Sequence, residues 1–344
     1  MSALSTTNSS AVEVEEFPGG EKVAALYHFA RIENTTEIQQ ELLKLCKVEL
    51  IKGTLILAHE GINGTIAGPV AGIDKVITFI RNMNGFDSIH VKYSSLCNTD
   101  GFHHMRIKLK SEIVTMGKPN IDPLLSAGTY VDPKDWNALI NRKDVMVIDT
   151  RNSYEVHIGK FKDAVNPETS TFRDFPEWAD NLIADKVKTT EETEKTPPVA
   201  LAMYCTGGIR CEKATVYMKQ LGIQEVYHLK GGILKYLEEV PKSESLWEGE
   251  CFVFDERVAL KHDLQPGSYT RCYACKMPLS AEDVSVGPLR HEEGVYCTYC
   301  VDKQTEAQRE RFRERQRQVL LARERGEEHV GQQQVVIGKR KCHS

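Results

Sequence analysis

Residues 198–210 constrain the fold more than any other stretch of the 344-residue chain. Pro198 to Tyr204 is apolar at nearly every position, which is how a strand reads when both of its faces are covered in a parallel sheet. The run stops on Cys205. Thr206, Gly207, Gly208, Ile209 and Arg210 follow, and a helical pattern then continues to Leu221. Gly207 and Gly208 let the backbone curl until several N–H groups face one point, a nest for an anion. The helix that begins near Arg210 adds the positive end of its dipole. A cysteine held there has a lowered pKa and reacts as thiolate. The same cradle would stabilise a persulfide, a sulfenate or a bound oxyanion. The competing reading is a buried strand-end cysteine beside an ordinary turn. The strand, the Gly-Gly pair and the closing arginine occur together, which favours the reactive site.

The neighbouring segments place this loop in an α/β domain. Pro133 opens a helix through Ile140, residues 145–149 form a second covered strand, and residues 226–229 and 233–239 read as a strand and a helix. Strands alternating with helices predict a doubly wound parallel sheet. Residues 186–198, polar and ending in Pro-Pro, read as a surface insertion.

Upstream, strands are expected at 23–29, 54–59, 65–67, 88–93 and 105–109, with helices at 35–46 and 74–82. Residues 60–64, Glu-Gly-Ile-Asn-Gly, read as a turn. This order describes an α+β ferredoxin-like split βαβ domain. Downstream come two Cys-x-x-Cys pairs, and then residues 304–325, an exposed charged helix with a thin apolar stripe. The expected division is a disordered lead-in at 1–20, the ferredoxin-like domain at 21–117 and the α/β domain at 118–245. A four-cysteine module at 246–302 follows, then a charged helix and disordered tail at 303–344.

Composition narrows the class. Apolar residues make up 41% and charged residues 27%, as in a water-soluble globular protein. No run approaches the ~20 apolar residues that cross a bilayer, and the N-terminus has no signal-peptide pattern. The net charge of −5 gives no global reason for nucleic-acid binding, so any such surface must be local. Ten cysteines in a chain of this length fit a reducing cytoplasm rather than a disulfide scaffold.

Residues 119–240 resemble a rhodanese domain. Besides the loop, Asp149-Thr150-Arg151 with Glu155, residues 159–167, and Leu229-Lys230-Gly231-Gly232-Ile233 match that family's segments. Four residues separate Cys205 from Arg210. That is the sulfurtransferase length, one shorter than in phosphatase relatives, and it disfavours phosphatase activity. The combination with Ala58-His59-Glu60-Gly61-Ile62-Asn63-Gly64-Thr65, with residues 110–117, with residues 203–213 and with Phe252-Val253-Phe254-Asp255-Glu256-Arg257-Val258 goes further. Together these resemble the rhodanese-like tRNA uridine(34) hydroxylase family across roughly residues 23–300. The resemblance implies a cytoplasmic enzyme that hydroxylates the tRNA wobble uridine to 5-hydroxyuridine with molecular oxygen as co-substrate, Cys205 being the active-site cysteine. The residues alone lead only to a reactive thiolate in an anion cradle. A sulfurtransferase working through a Cys205 persulfide, and a non-enzymatic rhodanese scaffold that senses redox state or binds a partner, are the alternatives.

Around the loop, Asp149, Arg151 and Glu155 are expected to brace it by charge-assisted hydrogen bonds, and Arg210 to hold the anion or close the loop. Two readings stand for Cys211: a resolving thiol for Cys205, or a packing residue in the first helical turn. Cys272, Cys275, Cys297 and Cys300 form two hooks with 21 residues between them, a spacing that offers four thiolates tetrahedrally to a structural Zn²⁺. An iron–sulfur cluster or separate redox pairs are the alternatives. His59, Glu60 and Asn63 are either a structural turn or a group facing the cleft. Lys52, Lys92, Arg106, Lys108 and Lys110 are either a basic strip for tRNA phosphates or scattered solvated charges.

Overall fold

The computed structural model describes residues 21–95, 104–118, 120–192, 200–255 and 257–325. The expected lead-in at 1–20 and tail at 326–344 lie outside the described residues. The chain divides into two compact units, Met1–Ile113 and Val114–Ser344.

The first unit runs β1 (Glu21–Phe29), α1 (Thr35–Val48), β2 (Lys52–Ala58), β3 (Gly61–Pro69), α2 (Val70–Arg81), β4 (His90–Ser95) and β5 (Met105–Leu109). The sheet order is β4-β1-β3-β2-β5. Its first four strands give the ferredoxin-like arrangement, and β5 joins the edge parallel to β2. Ala24, Leu26, Leu55, Leu57, Ile62 and Ile66 face the helices and pack on Leu42, Cys46, Ile73, Val76 and Ile80. The expected turn at 60–64 is shorter than the glycines suggest. Only His59 and Glu60 turn, and β3 already begins at Gly61, which pairs with Ala58. Gly61 has φ 149, and a Cβ there would lie 2.0 Å from the His28 carbonyl oxygen, so this glycine serves the close approach of β1. Glu60 and Asn63 both hold the segment after β5: Ile113 N–H donates to Glu60 Oε1 at 2.7 Å, and Asn63 Nδ2 donates to the Ile113 carbonyl at 2.9 Å.

The second unit contains α3 (Pro123–Ser126), β6 (Thr129–Val131), α4 (Pro133–Ile140), β7 (Val145–Asp149), α5 (Ser153–Val156), β8 (Gly159–Phe161), α6 (Phe175–Glu192), β9 (Ala200–Tyr204), α7 (Ile209–Gln220), β10 (Glu225–Leu229) and α8 (Gly232–Glu239). Strands β6-β10-β9-β7 form a parallel sheet. Side chains of β9 alternate between two cores. Leu201 and Met203 pack with Phe175, Ala179, Ala214 and Met218 on one side. Ala202 and Tyr204 pack with Trp136, Ile233, Tyr236 and Leu237 on the other. Helices therefore cover both faces, as a doubly wound sheet requires. Helix α6 continues through Glu192, so the first half of the expected insertion is helical, and residues 193–199 lie outside the described residues.

Short strands complete the unit: β11 (Trp247–Gly249), which pairs with β8, then β12 (Cys251–Phe252), β13 (Ala259–Leu260), β14 (Thr270–Arg271) and β15 (Pro278–Leu279). They are followed by α9 (Ala281–Ser285) and α10 (Glu306–Glu324). Ser280 caps α9 by accepting from Asp283 N–H at 3.1 Å. Among the described residues no helix is long and apolar enough to cross a membrane.

Candidate active site and four-cysteine cluster

Cys205 lies at the carboxyl end of β9, where open α/β sheets place their ligand sites. It is 1% exposed. Its sulfur accepts from Gly208 N–H at 3.1 Å. Gly208 has φ 103, in the left-handed region, and is the residue before α7. Gly207 has open space where a Cβ would stand, so only one glycine of the pair is required by backbone geometry. Burial pushes the Cys205 thiol up. The Cys211 thiol hydrogen bond, the Arg210 charge and the backbone N–H groups of Cys211 and Arg210 outweigh burial and hold the pKa well below the ordinary value. Burial and the neighbouring Cys205 sulfur push Cys211 in the opposite direction, so it stays protonated and donates. Cys211 is also 3.5 Å from Thr150 Oγ1, a hydroxyl that donates to the Tyr204 carbonyl at 3.0 Å.

Arg210 closes the loop onto Glu155. Its Nη1 donates to Oε2 at 2.6 Å and its Nη2 to Oε1 at 2.8 Å, a bidentate pair in which Glu155 is fully buried. Thr206 Oγ1 donates to Glu155 Oε1 at 3.3 Å and receives Arg210 Nη2 at 3.2 Å. Glu155 also caps α5, its Oε2 accepting from Asn152 N–H at 3.1 Å. Burial pushes the Glu155 pKa up, and the Arg210 charge and hydrogen bonds outweigh it, for a net downward shift.

Arg151 is fully buried. It pairs with Asp149, Nε to Oδ1 at 2.9 Å and Nη2 to Oδ2 at 2.7 Å, and donates to the carbonyls of Gly159 at 2.6 Å and Glu155 at 3.3 Å. It therefore ties the end of β7 to α5 and β8, beneath the loop rather than in it.

Gly231-Gly232 has a role that residue-by-residue reading missed. Ile233 N–H donates to the Cys205 carbonyl at 3.0 Å, and Leu234 N–H to the Thr206 carbonyl at 3.1 Å. A Cβ on Gly232 would stand 2.5 Å from the Cys205 carbonyl oxygen. The start of α8 thus grips the loop from outside. The doubled glycine after a strand was the only signal for this.

The second cluster lies in the same unit. The sulfurs of Cys272, Cys275, Cys297 and Cys300 all lie within 4.8 Å of one another. Cys275–Cys297, Cys297–Cys300 and Cys272–Cys300 are 3.6, 3.8 and 3.9 Å apart. Four thiolates around one tetrahedral ion with bonds of roughly 2.3 Å are about 3.8 Å apart. The donor set therefore fits a single metal ion. Cys300 sulfur also accepts from Cys297 N–H at 3.3 Å and Gln304 Nε2 at 3.2 Å, which offsets thiolate charge. Arg315 Nη2 reaches the Gly294 carbonyl at 2.9 Å, and Arg313 pairs with Glu292, so α10 is fastened to this module.

A parallel sheet covered on both faces, with a cysteine loop closed by an arginine at its carboxyl edge, defines a rhodanese-like domain, and the rhodanese-like domain model matches residues 132–239. Residues 21–113 match the model described as UPF0176 acylphosphatase like domain. The chain is 53% identical over 325 residues to a protein of Agrobacterium fabrum named tRNA uridine(34) hydroxylase, covering 94% of this chain and 99% of that one. Proteins of the same name from Sinorhizobium medicae and Rhizobium leguminosarum bv. trifolii are 54% and 53% identical, covering 92% and 90% of this chain and 96% of each of them. The chain belongs to the tRNA uridine(34) hydroxylase family.

Proposed function

We propose that this protein hydroxylates the wobble uridine of tRNA at C5, with molecular oxygen as co-substrate, and that Cys205 is its nucleophile. One observation carries the reading: a buried cysteine at the sheet edge, facing the Gly208 N–H and beside Arg210 and Cys211, which pull its pKa down, in a chain of this family. The Cys205 sulfur adds to C6 of the uracil, and the C5–C6 electron pair moves onto C5 and the C4 carbonyl. C5 then forms a bond to one atom of an activated dioxygen species. The second oxygen atom leaves as water, with two electrons from an external reductant. Loss of the C5 proton and departure of Cys205 restore the aromatic ring as 5-hydroxyuridine.

In this reading Thr206, Gly207, Gly208 and Ile209 supply the backbone of the cradle, Arg210 and Glu155 fix its shape, and Asp149 with Arg151 supports it from below. Cys211 supplies a proton to the Cys205 sulfur by hydrogen bonding and is the resolving thiol if Cys205 is oxidised. The four-cysteine cluster holds a structural Zn²⁺, whose four thiolates leave no open position for chemistry. The protein works in the cytoplasm as a ferredoxin-like domain at 21–117, a rhodanese domain at 118–245, a zinc module at 246–302 and a charged tail at 303–344.

The test is mass spectrometry of tRNA nucleosides from cells that lack the gene, complemented with wild type or Cys205→Ser. Restoration by wild type alone supports the reading. Full 5-hydroxyuridine with Cys205→Ser rules out nucleophilic catalysis by this residue. Turnover of thiosulfate by the purified protein, with an unaltered nucleoside profile, would favour sulfur transfer instead.

A further inference from the structure

The register of the first unit gathers several cationic side chains on the side of the sheet away from the helices. On β1, Ala24 and Leu26 face the helices, so Val23, Ala25 and Tyr27 face the other way. Following the pairing outward from Ala25 gives one row: Lys92, Ala25, Thr65, Thr54, Arg106. The row from Tyr27 reads His90, Tyr27, Asn63, Ile56, Lys108, and the row from Val23 reads Ser94, Val23, Ala67, Lys52. No acidic residue stands in these three rows, and Glu21, paired with Pro69 one row further along, is the acidic side chain of β1 on the same side. Further acidic side chains lie in the helical layer, at Glu37 and Glu41 of α1, Glu49 just after it and Asp74 of α2.

Arg106 and Lys108 are exposed and Lys52 and Lys92 half-exposed. Four strand spacings separate Lys92 from Arg106, ~19 Å at roughly 4.8 Å each. Between these cationic edges the floor is small or uncharged: Ala25, Thr65 and Thr54. Tyr27 is the single Phe, Tyr or Trp in the three rows, which is too few for a base-stacking platform of the kind that reads single strands. On a chain of net charge −5, these three rows form a local cationic surface for a polyanion, with Glu21 of β1 at their far end.

We infer that the exposed part of this helix-free face of the ferredoxin-like sheet, through Lys52, Lys92, Arg106 and Lys108, binds the phosphate backbone of the tRNA and positions it without reading its sequence. The inference rests on the tRNA reading above and gives it a docking surface. Each phosphate neutralised contributes about 0.7–0.9 to the slope of log affinity against log salt. The full-length protein is titrated with an in vitro transcribed tRNA carrying U34, across a salt series. The Lys52→Gln, Arg106→Gln, Lys108→Gln triple variant is expected to flatten the slope by about 2 to 3 and to weaken binding about tenfold or more at moderate salt. A matched triple on the helical layer, Lys44→Gln, Lys47→Gln, Lys75→Gln, removes the same charge and is expected to keep the wild-type slope. Thermal unfolding checks that both variants are folded. An unchanged slope in the first triple, or equal flattening in both, overturns the surface. Either result leaves the hydroxylase reading standing if the deletion strain lacks 5-hydroxyuridine. If that strain keeps the nucleoside, the hydroxylase reading falls while the slopes still decide the surface.

Discussion

Cys205 and Cys211 are six residues apart in one loop and helix, yet their neighbours drive their protonation in opposite directions. The thiolate absorbance of wild type minus Cys205→Ser is expected to persist at pH values below the ordinary cysteine range, about 8.5. Cys211→Ala removes a donor and is expected to move that midpoint upward, whereas Cys211→Ser restores part of the shift. Glu155 supplies a second test. Its folded-state pKa lies below its unfolded value, so its pairing stabilises the fold above the unfolded pKa, and that contribution is lost as pH falls through the folded one. Glu155→Gln leaves Arg210 buried without its anion and is expected to cost about 3–5 kcal/mol in urea unfolding at neutral pH. The variant should also show a shallower loss of stability on acidification. Cys205, Arg210 and Glu155 could all be named from the sequence because loop and motif spacing carry them. The partnership of Arg210 with Glu155 rather than with an anion could not, because 55 residues separate them and only the folded sheet brings them together.

At the scale of elements, the long covered strands and the proline-opened helix were legible. β7 and α4 occur with the expected bounds, and β5 likewise. The four-residue α5 and the two- and three-residue strands β8 and β11 to β15 were not. Segments so short show no periodicity, and tertiary pairing alone defines them. The grip of α8 on the loop belongs to the same class, and it separates the glycines by role. Gly232→Ala forces a Cβ against the Cys205 carbonyl at φ 66 and is expected to reduce 5-hydroxyuridine formation at least tenfold while the protein remains folded. Gly207→Ala meets nothing within 4 Å and is expected to retain most activity. Side-by-side complementation of the deletion strain checks both.

For the whole molecule, the four-cysteine module has a small core of its own, Leu279, Val295, Tyr296 and Val301 around the sulfurs, with Phe312 of α10 against it. So little apolar area does not order some 50 residues unaided, and an ion bound by the four sulfurs would supply the rest of the folding free energy. Removing the ion with a chelator is expected to release amide protection in β14, β15 and α10, while β9 and α7 stay protected. Hydrogen exchange with and without chelator reads this directly, and metal analysis should return one zinc per chain. Equal loss of protection across the α/β sheet would show that the module and the sheet unfold as one.

Glu155 carries one further implication. The same carboxylate starts α5 and clasps Arg210 and Thr206, so the shape of the cradle is fixed by the folding of a helix elsewhere in the chain. A loop so tied pays its ordering entropy during folding rather than at each encounter with substrate. The receptor is therefore stiff, and the nucleotide is the partner that must change shape: the uridine has to leave its stacked position and come to the sulfur. Selection among RNAs would then favour those whose anticodon loop opens most cheaply, a preference written in the mechanics of the substrate.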